Sequence, residues 1–308
     1  MTKIGVVIPY FRGEKYIDKC VYSIFQSAID SCQIYIVDND TKGLDCTNFP
    51  SESVTIIRCN PGIGYGRAAN IGAFKAISDG IEILVITNQD TIFDKYAITS
   101  LTNEISSDTF LKVHIPIIKI YEKSDIEPHF IRRVLSQTSY FEDVANGTLK
   151  NQYPVNIASA ACVAMHSQVV NEIGLFDPIF HMYGEDDDFF NRLMRNNGRL
   201  SLIPNASIGH FHSLVNETQN QQKTIKYQQS ISQDILRVRY NMTFIEYVWF
   251  AIKNSIRALR YRSLSDFLAQ GKIHMHHLSI WRTLKSLNTE SLTARMFNAV
   301  KKDRLHGI

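Results

Sequence analysis

The sequence lacks the features that mark secreted and membrane-spanning proteins. No stretch approaches the roughly 18 uninterrupted apolar residues of a spanning helix, and the amino terminus lacks the charged region, long apolar segment and cleavage site of a secretory signal. We therefore expect a cytoplasmic protein. The cysteines are odd in number with no CxxC spacing, which argues against a disulfide framework and a zinc site, and we expect them to be reduced and buried. They are Cys20, Cys32, Cys46, Cys59 and Cys162.

A dinucleotide-binding fingerprint is also missing. The glycines between Asn60 and Gly72 run GxGxG instead of GxGxxG, and they follow a late predicted strand instead of the first one. This pattern disfavours a dehydrogenase. The glycines still allow the backbone to approach a ligand closely, and Arg67 could pair with a diphosphate at the start of the helix that follows.

Four short runs of apolar, largely β-branched residues are typical of strands buried on both faces of a parallel sheet. They are Ile4–Ile8, Gln33–Val37, Val54–Arg58 and Ile83–Thr87. Between the first two, Ile17, Val21 and Ile24 recur at helical spacing, which indicates a βαβ unit. The sequence therefore predicts an α/β fold with a mostly parallel twisted sheet flanked by helices. Leu111–Ile120 is assigned only to a connecting layer.

Polar side chains follow two of these strands at their carboxyl ends, where open α/β sheets bind ligands. Asp38 and Asn39 follow the second strand, and the Asp38 carboxylate could accept a hydrogen bond from a nucleobase or a ribose hydroxyl. Asn88-Gln89-Asp90 follows the fourth strand, where Asp90 could reach phosphates through a hard divalent cation. The competing interpretation is an Asx turn at the first position and a strand-ending turn at the second.

Four adjacent carboxylates, Glu185–Asp188, begin a helix-like run. Such neighbours repel one another and cost stability unless a cation, a hydroxyl proton or a basic side chain compensates them, so they form a candidate active site. Crowding should raise the pKa of one member and bring Asp186 closer to a useful general base. The competing interpretation is an acidic cap on the first turn of a helix. His210 and His212 follow beyond a proline-bounded apolar segment.

The order of these parts resembles the family 2 glycosyltransferases with the GT-A fold, in particular the bacterial rhamnosyltransferase-like branch that builds surface polysaccharides. Four motifs carry the resemblance and span about residues 4–213, some two thirds of the chain. They are VVIPYFRGEKYIDKCVYSIF, IYIVDND, NPGIGYGRAANIGA and GLFDPIFHMYGEDDDFFNRLMRNNGRLSLIPNASIGH. The resemblance implies a GT-A type fold for this part of the chain.

The resemblance also implies residues that bind a nucleotide diphosphate sugar, with dTDP- or UDP-linked donors as the expected partners. In that family the loop after the first strand and the aspartate after the second hold the nucleoside, which transfers to Pro9, Tyr10 and Asp38. The other residues assigned to the nucleotide sugar are Asn39, Gly62, Arg67, Asn70 and Asn88.

A divalent cation, Mg2+ or Mn2+, is the cofactor that the resemblance implies. The family's Asp-x-Asp metal motif falls on Asn88-Gln89-Asp90. Asn88 keeps an oxygen ligand but loses a charge, so Asp90 is the metal carboxylate that transfers. The family's Pro-x-Ala-x-Val-x-His pattern ends at His210, which becomes a metal or diphosphate contact. His212 could substitute, since alternate residues of a strand share a face.

The family's catalytic base lies in a Glu-Asp pair that maps onto Glu185-Asp186, with Asp186 as the base and Asp188 at a further acidic position. The implied function is inverting transfer of a sugar, rhamnose or another hexose, to a hydroxyl of a saccharide or lipid-linked saccharide in surface polysaccharide synthesis. One rival is a noncatalytic sugar-nucleotide-binding protein with the same fold. Another is a nucleotidyltransferase, which would need a glycine-rich basic loop where this chain has Tyr10–Glu14.

We expect two parts in the chain. A catalytic domain covers residues 1–215, with a nucleotide-binding half over about 1–95 and an acceptor and catalytic half over about 96–215. A basic helical extension covers residues 216–308. From Lys253 onward there are 11 Lys and Arg against 3 Asp and Glu, a charge of +8 that implies an anionic partner.

Apolar residues of the extension recur at steps of four and three from Ile231 to Leu259, which predicts one long helix or two helices separated by a kink. This stripe suits packing on the catalytic domain, pairing with a second copy in a homodimer, or docking as a peripheral protein on the anionic inner face of the cell membrane. Nucleic acid is not expected, since no zinc spacing or RNA-binding signature accompanies the basic charge. We assign His274, His276 and His277 to the surface.

Overall fold

The computed structural model describes residues 2–29, 31–45, 49–50, 52–103, 105, 111–121, 123, 125–211, 219–261, 264–285 and 289–303. His212 lies outside these residues. Contacts divide the chain into two compact units. The sheet unit combines Met1–His181, Glu185–Asn216 and Thr293–Ile308, and the helical unit combines Met182–Gly184 and Glu217–Leu292.

Nine strands form one sheet in the order β3-β2-β1-β4-β8-β6-β9-β5, with β7 paired to β9. Their bounds are β1 Ile4–Tyr10, β2 Gln33–Asp38, β3 Val54–Arg58, β4 Ile83–Thr87, β5 Thr91–Phe93, β6 Lys112–Ile120, β7 Tyr153–Val155, β8 Cys162–His166 and β9 Arg199–His210. The four strands predicted from apolar runs are β1 to β4, and all their mutual pairings are parallel. Beyond β4 the sheet is mixed, because β8 runs antiparallel to both of its neighbours whereas β6 and β9 are parallel.

Helices cover the sheet and make up the helical unit. Their bounds are α1 Ile17–Phe25, α2 Tyr65–Ser78, α3 Ala97–Thr102, α4 Pro128–Arg133, α5 Tyr140–Asn146, α6 Ser167–Ile173, α7 Glu185–Arg195, α8 Gln219–Leu236, α9 Phe244–Tyr261, α10 Leu264–Ser279, α11 Trp281–Lys285 and α12 Thr289–Asp303. A sheet flanked by helices, followed by further helices, confirms the predicted α/β class. The predicted connecting layer at Leu111–Ile120 is instead strand β6, buried over most of its length.

Helix α2 lies close against the parallel half of the sheet because its sequence contains small residues. A Cβ atom at Gly72 would lie 2.4 Å from Val7 Cγ1 and 2.9 Å from Val37 Cγ2, so a larger residue would force the helix away from the sheet. Ala68, Ala69 and the other small residues on this face are completely buried. The last glycine of the glycine-rich segment therefore serves helix packing.

The carboxyl ends of the parallel strands meet at one edge of the sheet. Tyr10 at the end of β1 pairs in register with Asp38 at the end of β2. Near β4, the short strand β5 pairs with the end of β9, which sets Thr91 opposite His210. This topology brings the polar residues after β2 and β4 to one edge, as the sequence predicts.

The helical unit divides the predicted apolar stripe into two parts. A π-helical turn at Arg237–Asn241 separates α8 from α9, so of the two predicted alternatives the structure shows two helices and not one long helix. Ile235 and Val238 are buried, whereas Ile245 and Trp249 of α9 are 69% and 68% exposed. Among the described helices, none is apolar over enough of its length to cross a membrane.

The surface assignment of two histidines is wrong. His274 and His277 on α10 are 3% and 1% exposed, whereas His276 between them is exposed. Both buried rings place Nδ1 at 2.9 Å from the hydroxyl oxygen of Tyr247 on α9. Residues 274 and 277 lie three apart on one helix face, so both rings point to the same side of α10.

Candidate active site

Asp90 and His210 meet at the carboxyl edge of the sheet, where the pairing of β5 with β9 holds them. His210 Nε2 lies 3.5 Å from Asp90 Oδ1 and 3.4 Å from the side-chain nitrogen of Asn88. On the other side of the ring, Nδ1 lies 3.8 Å from Glu127 Oε2. The structure thus brings together the three residues that the sequence assigns around the metal, and it adds Glu127 behind the histidine.

The electrostatics at this point favour a positive charge. Burial alone would lower the pKa of His210, but hydrogen bonds to Asp90 and Glu127 raise it to about 9. The imidazole is therefore protonated at neutral pH, and its positive charge compensates the negative charges of Asp90 and Glu127. Because a metal-bound histidine must be neutral, a divalent cation would take over this compensating role when bound.

Gln89, the middle residue of the motif after β4, supports the loop after β1. Its Oε1 accepts a hydrogen bond from Phe11 N at 2.8 Å, and its Nε2 donates to Phe11 O at 2.8 Å. A Cβ atom at Gly13 would lie 2.3 Å from this amide, so a larger residue there would displace the Gln89 side chain from the loop. The sequence offers no signal for this pairing, because an amide side chain can bond to any backbone segment.

Asp38 is buried and uses both carboxylate oxygens to hold the loop after β2. Oδ1 accepts a hydrogen bond from Asp40 N at 3.1 Å, and Oδ2 accepts one from Leu44 N at 2.8 Å. The first of these bonds is the Asx turn that the sequence left open as an alternative to nucleoside binding. Pro9 and Tyr10, at the end of β1, are buried as well. In this conformation Asp38 shapes the predicted nucleoside site instead of lining its surface.

Asn39 joins the loop after β2 to the glycine-rich segment. Its side-chain oxygen accepts a hydrogen bond from Ile63 N at 2.9 Å, and Gly62 N donates to its backbone oxygen at 3.0 Å. Gly62 adopts a φ of 73°, a left-handed conformation that glycine tolerates without steric cost. Two of the predicted nucleotide-sugar residues therefore lie side by side.

Asn70 and Arg67 of α2 have structural partners. Asn70 is buried, and its amide exchanges two hydrogen bonds with the backbone of Phe176, at 2.7 Å and 3.1 Å. Arg67 Nε lies 2.9 Å from Asp303 Oδ2 at the end of α12. Asp303 O also accepts a hydrogen bond from Asn60 N at 2.7 Å. The predicted diphosphate arginine is therefore paired with a carboxylate from the far end of the chain.

The four carboxylates at the start of α7 have different environments. Asp188 is completely buried and accepts a hydrogen bond from Arg192 Nε at 2.8 Å. The Arg192 guanidinium also donates to backbone oxygens before the helix, including Gly174 O at 2.9 Å. Asp187 forms an ion pair with Arg133 of α4. Asp188 is predicted as a catalytic neighbour, but its geometry is that of a residue that anchors α7.

The other two carboxylates, Glu185 and Asp186, form no ion pair with an arginine and are the candidates for a catalytic role among the described residues. Burial, followed by the charge of Asp186, raises the pKa of Glu185 to about 8, and Glu185 Oε2 is buried with no hydrogen-bond partner among the described residues. Burial also raises the pKa of Asp186, while the charge of Arg133 opposes the rise. Glu185 is thus protonated at neutral pH. The predicted crowding effect is present, since the charge of Asp186 raises the pKa of both Glu185 and Asp187 after burial.

The segment Ala158–Ala161 connects the two halves of the site, and the sequence marks it only as a run of small residues. Ala158 O accepts a hydrogen bond from Arg133, and Ala161 O accepts one from Asn88 N at 2.9 Å. Between them, the backbone of Ala160 hydrogen-bonds to the Asp186 carboxylate. Small side chains allow three elements to bond to one short length of backbone.

Tyr65, the first residue of α2, bonds to the same segment of backbone. Its hydroxyl donates to Ala160 O at 3.0 Å. Burial raises the pKa of Tyr65, and the charges of Glu185, Asp186 and Asp90 raise it further. A single buried hydroxyl thus experiences both the acidic pair on α7 and the carboxylate after β4. Nothing in the sequence singles out Tyr65, since a tyrosine after glycine carries no specific signal.

Comparison with known proteins shows the family and the fold of the chain. Residues 5–174, more than half of the chain, match the family described as Glycosyl transferase family 2. The crystal structure of GalNAc-T7 with UDP, GalNAc and Mn2+ is similar, with a TM-score of 0.59 and 16% identity over 92% of this chain and 56% of that one. No curated protein sequence matches significantly.

A second solved structure is the mannosyltransferase PcManGT from Pyrobaculum calidifontis in complex with GDP-Man and Mn2+. Its TM-score is 0.55 at 13% identity, over 97% of this chain and 86% of that one. At such identities the likeness shows the fold, which is the GT-A fold of glycosyltransferases. The chain spans just over half the length of the GalNAc-T7 chain. With the family match, the protein belongs to glycosyl transferase family 2.

Proposed function

We propose that this glycosyltransferase inverts the anomeric centre as it moves a hexose from a nucleotide diphosphate sugar to a hydroxyl of a saccharide or lipid-linked saccharide. The observation that carries the proposal is the short segment Ala158–Ala161, whose backbone hydrogen-bonds both to Asn88 N after β4 and to the Asp186 carboxylate on α7, so that two chemically different groups lie close together. Asp90 with His210 suits the anionic diphosphate through a cation, and Glu185 with Asp186 suits proton removal from an acceptor. Together they provide the two functions that sugar transfer requires.

Asp90, His210 and the side-chain oxygen of Asn88 would hold the cation, Mg2+ or Mn2+. The fit depends on the donor set, since carboxylate and amide oxygens are the ligands that hard divalent cations prefer and imidazole accommodates Mn2+. Glu127 at 3.8 Å from Nδ1 would orient the ring from behind, as carboxylates do for metal-binding histidines. A bound cation supplies electrostatic stabilisation of the leaving diphosphate.

The transfer step follows from the acidic pair. The acceptor oxygen attacks the anomeric carbon, its proton passes to the Asp186 carboxylate, and the carbon–oxygen bond to the diphosphate breaks with its electron pair on the leaving oxygen. A positioned carboxylate typically contributes about 10² to 10⁴-fold to such a step. The protonated Glu185 can donate a hydrogen bond beside the base. Attack on the face opposite the diphosphate inverts the configuration.

The donor and the pathway extend the proposal. We take dTDP- or UDP-sugars as the donors and place the protein in the rhamnosyltransferase-like branch of surface polysaccharide synthesis, on the motifs at the edge of the sheet. The similar structures support a nucleotide sugar with Mn2+ in general, since one contains UDP and the other GDP-Man. The noncatalytic alternative rests on Asn88, which weakens the metal site by one charge.

A panel of nucleotide sugars, with and without Mn2+, tests the proposal on the full-length protein. We expect one donor to raise the melting temperature and to release nucleotide diphosphate faster when a saccharide acceptor is present. Mass spectrometry and NMR of the product would give the linked sugar and its anomeric configuration. Stabilisation by a nucleotide diphosphate without transfer or hydrolysis would instead support the noncatalytic binding protein.

We further propose that the exposed face of α9 contacts the anionic inner face of the cell membrane. Ile245, Trp249, Ile252 and Ile256 lie at helical spacing on this face and are 46% to 69% exposed, and Lys253 beside them is exposed too. An amphipathic helix with an aromatic anchor and basic neighbours suits anionic headgroups, as does the charge of +8 from Lys253 onward.

Flotation with vesicles that contain anionic lipid tests this surface. We expect Trp249→Ser to weaken flotation and Tyr22→Ser, which removes a similarly exposed aromatic ring from the sheet unit, to leave it unchanged. High salt should weaken flotation as well. Equal flotation of both variants would reject the lipid surface. Dissociation of a dimer by Trp249→Ser, measured by light scattering, would assign the face to a second copy instead.

A further inference from the structure

A second candidate metal site lies in the helical unit. One ligand atom from each of Asp234, His274 and His277 falls within 4.8 Å of the others, and all three residues are buried. Asp234 belongs to α8, whereas both histidines belong to α10. It is the one such group of His, Cys, Asp and Glu found within the described residues.

The chemistry of the group suits a transition metal. Two imidazoles and a carboxylate form a common tetrahedral set for Zn2+, with a solvent molecule as the fourth ligand. Ligand atoms at about 2.1 Å from such an ion lie about 3.4 Å apart. The ligand atoms lie at most 4.8 Å apart at present, so the three side chains would have to move closer together to bind an ion.

Two features of the histidines indicate a ligand that the protein atoms do not provide. His274 Nε2 is buried and has no hydrogen-bond partner within the described part of the chain. The hydroxyl oxygen of Tyr247 lies 2.9 Å from both Nδ1 atoms, and a phenolic oxygen can accept hydrogen bonds from both. If both Nδ1–H groups donate to Tyr247, Nε2 of each ring presents its lone pair, as in metal-binding histidines oriented by a second partner.

The charges of the group are also compatible with a cation. The Asp234 carboxylate is the acidic member of the group, and it is buried together with both imidazoles. Arg237 Nη1 lies 3.1 Å from Asp234 Oδ1, but the Arg237 side chain is 44% exposed and the carboxylate has a second oxygen to offer.

We propose that Asp234, His274 and His277 bind a Zn2+ ion that links α8 to α10. This site differs in residues and in unit from the proposed catalytic pair, Asp90 and His210. The ion would hold the two helices together, because Asp234 belongs to α8 and both histidines belong to α10. The competing state is a metal-free cluster in which Tyr247 alone ties the two histidines together.

The test uses full-length protein with Asp90→Asn, so that the catalytic site does not contribute zinc. After treatment with a chelator and dialysis against limiting ZnCl2, elemental analysis should find one zinc ion per chain, and zinc should raise the melting temperature. His277→Gln and Asp234→Asn should each abolish both effects, whereas His276→Gln, the exposed neighbour, should retain them. Equal zinc in His277→Gln, or none in the parent, would overturn the proposal.

If circular dichroism shows that a ligand variant does not fold, two further measurements test the zinc site. Co2+ bound to the parent protein should give the intense visible absorption of a tetrahedral site, and a spectrum of octahedral Co2+ would contradict the proposal. Tyr247→Phe removes the partner of both Nδ1 atoms and keeps the ring, so zinc affinity should fall by about 10 to 100-fold. Unchanged affinity would show that Tyr247 does not orient the ligands.

Discussion

His210 and Asp90 face each other across the β5–β9 pair, with Nε2 and Oδ1 3.5 Å apart. Since this pair would hold the cation, Asp90→Asn and His210→Asn should weaken Mn2+ activation of transfer far more than Glu127→Gln. The glutamate touches only the far side of the ring, so its loss should cost about tenfold in metal affinity. Isothermal titration of Mn2+ in the presence of nucleotide diphosphate measures the three affinities. Equal affinities for all three variants would exclude the site.

Asp186→Asn should lower the rate of transfer by about 10² to 10⁴-fold, because the amide cannot accept the acceptor proton. Binding of nucleotide diphosphate should be nearly unchanged. Asp187→Asn is the matched control, since it removes the same charge from the adjacent position, where Arg133 already pairs with the carboxylate. Single-turnover rates distinguish the two. Similar losses in both variants would assign the effect to charge and not to a base.

Glu185 should make stability depend on pH. Its pKa of about 8 in the folded protein exceeds the value of about 4.3 in an unfolded chain, so folding favours the protonated form. Stability is therefore greatest below the unfolded pKa and falls as pH rises towards 8, by at most about 1.4 kcal/mol per pH unit.

Urea unfolding of Glu185→Gln across this range provides the check. The variant has no proton to lose, so its stability should fall less steeply than that of the parent between about pH 5 and about pH 8. Glu142→Gln, at an exposed glutamate, should keep the slope of the parent. A slope unchanged in Glu185→Gln would mean that Glu185 is ionised across the whole range.

Asp303 should compete with nucleotide for Arg67. The pair is separated by 2.9 Å and the Arg67 side chain is 26% exposed, so its loss should cost no more than about 1 kcal/mol of stability. If Arg67 binds diphosphate, Asp303→Asn should tighten nucleotide diphosphate binding by up to about fivefold. The same change in an Arg67→Ala background should have no effect. Tighter nucleotide diphosphate binding in both backgrounds would show that Asp303 does not act through Arg67.

The sequence predicted well those features that depend on local pattern. Apolar, β-branched runs located β1 to β4, because a strand buried on both faces has no position for a polar residue. Strand β6 was missed for the opposite reason, since Lys112 and His114 interrupt its apolar pattern. The histidine is buried and hydrogen-bonded to Leu101 O at 2.8 Å, a partner that only the folded chain supplies.

At the candidate site, strand ends predicted where Asp38 and Asp90 lie, and the topology brings His210 to Asp90 across more than a third of the chain. The sequence could not predict which partner each polar side chain hydrogen-bonds to. Asp38 holds its own loop, Asn70 holds Phe176, and Asp188 holds Arg192. The partners of Asp38 and Asn70 are backbone groups, which every residue carries, so the sequence holds no signal for these bonds.

The return of α12 from Thr293 to the sheet unit makes the helical unit an insertion between two segments of one folding unit. Truncation near residue 215 would therefore remove more than an appendage, since it would also remove Asp303 and the bond between Arg295 and Asp177, 2.9 Å long. A minimal version of the sheet unit should replace residues 217–292 with a short flexible linker and keep α12 from Thr293 to Asp303. By the same reasoning, point substitutions on α9 test its surface better than deletion of everything after Lys253.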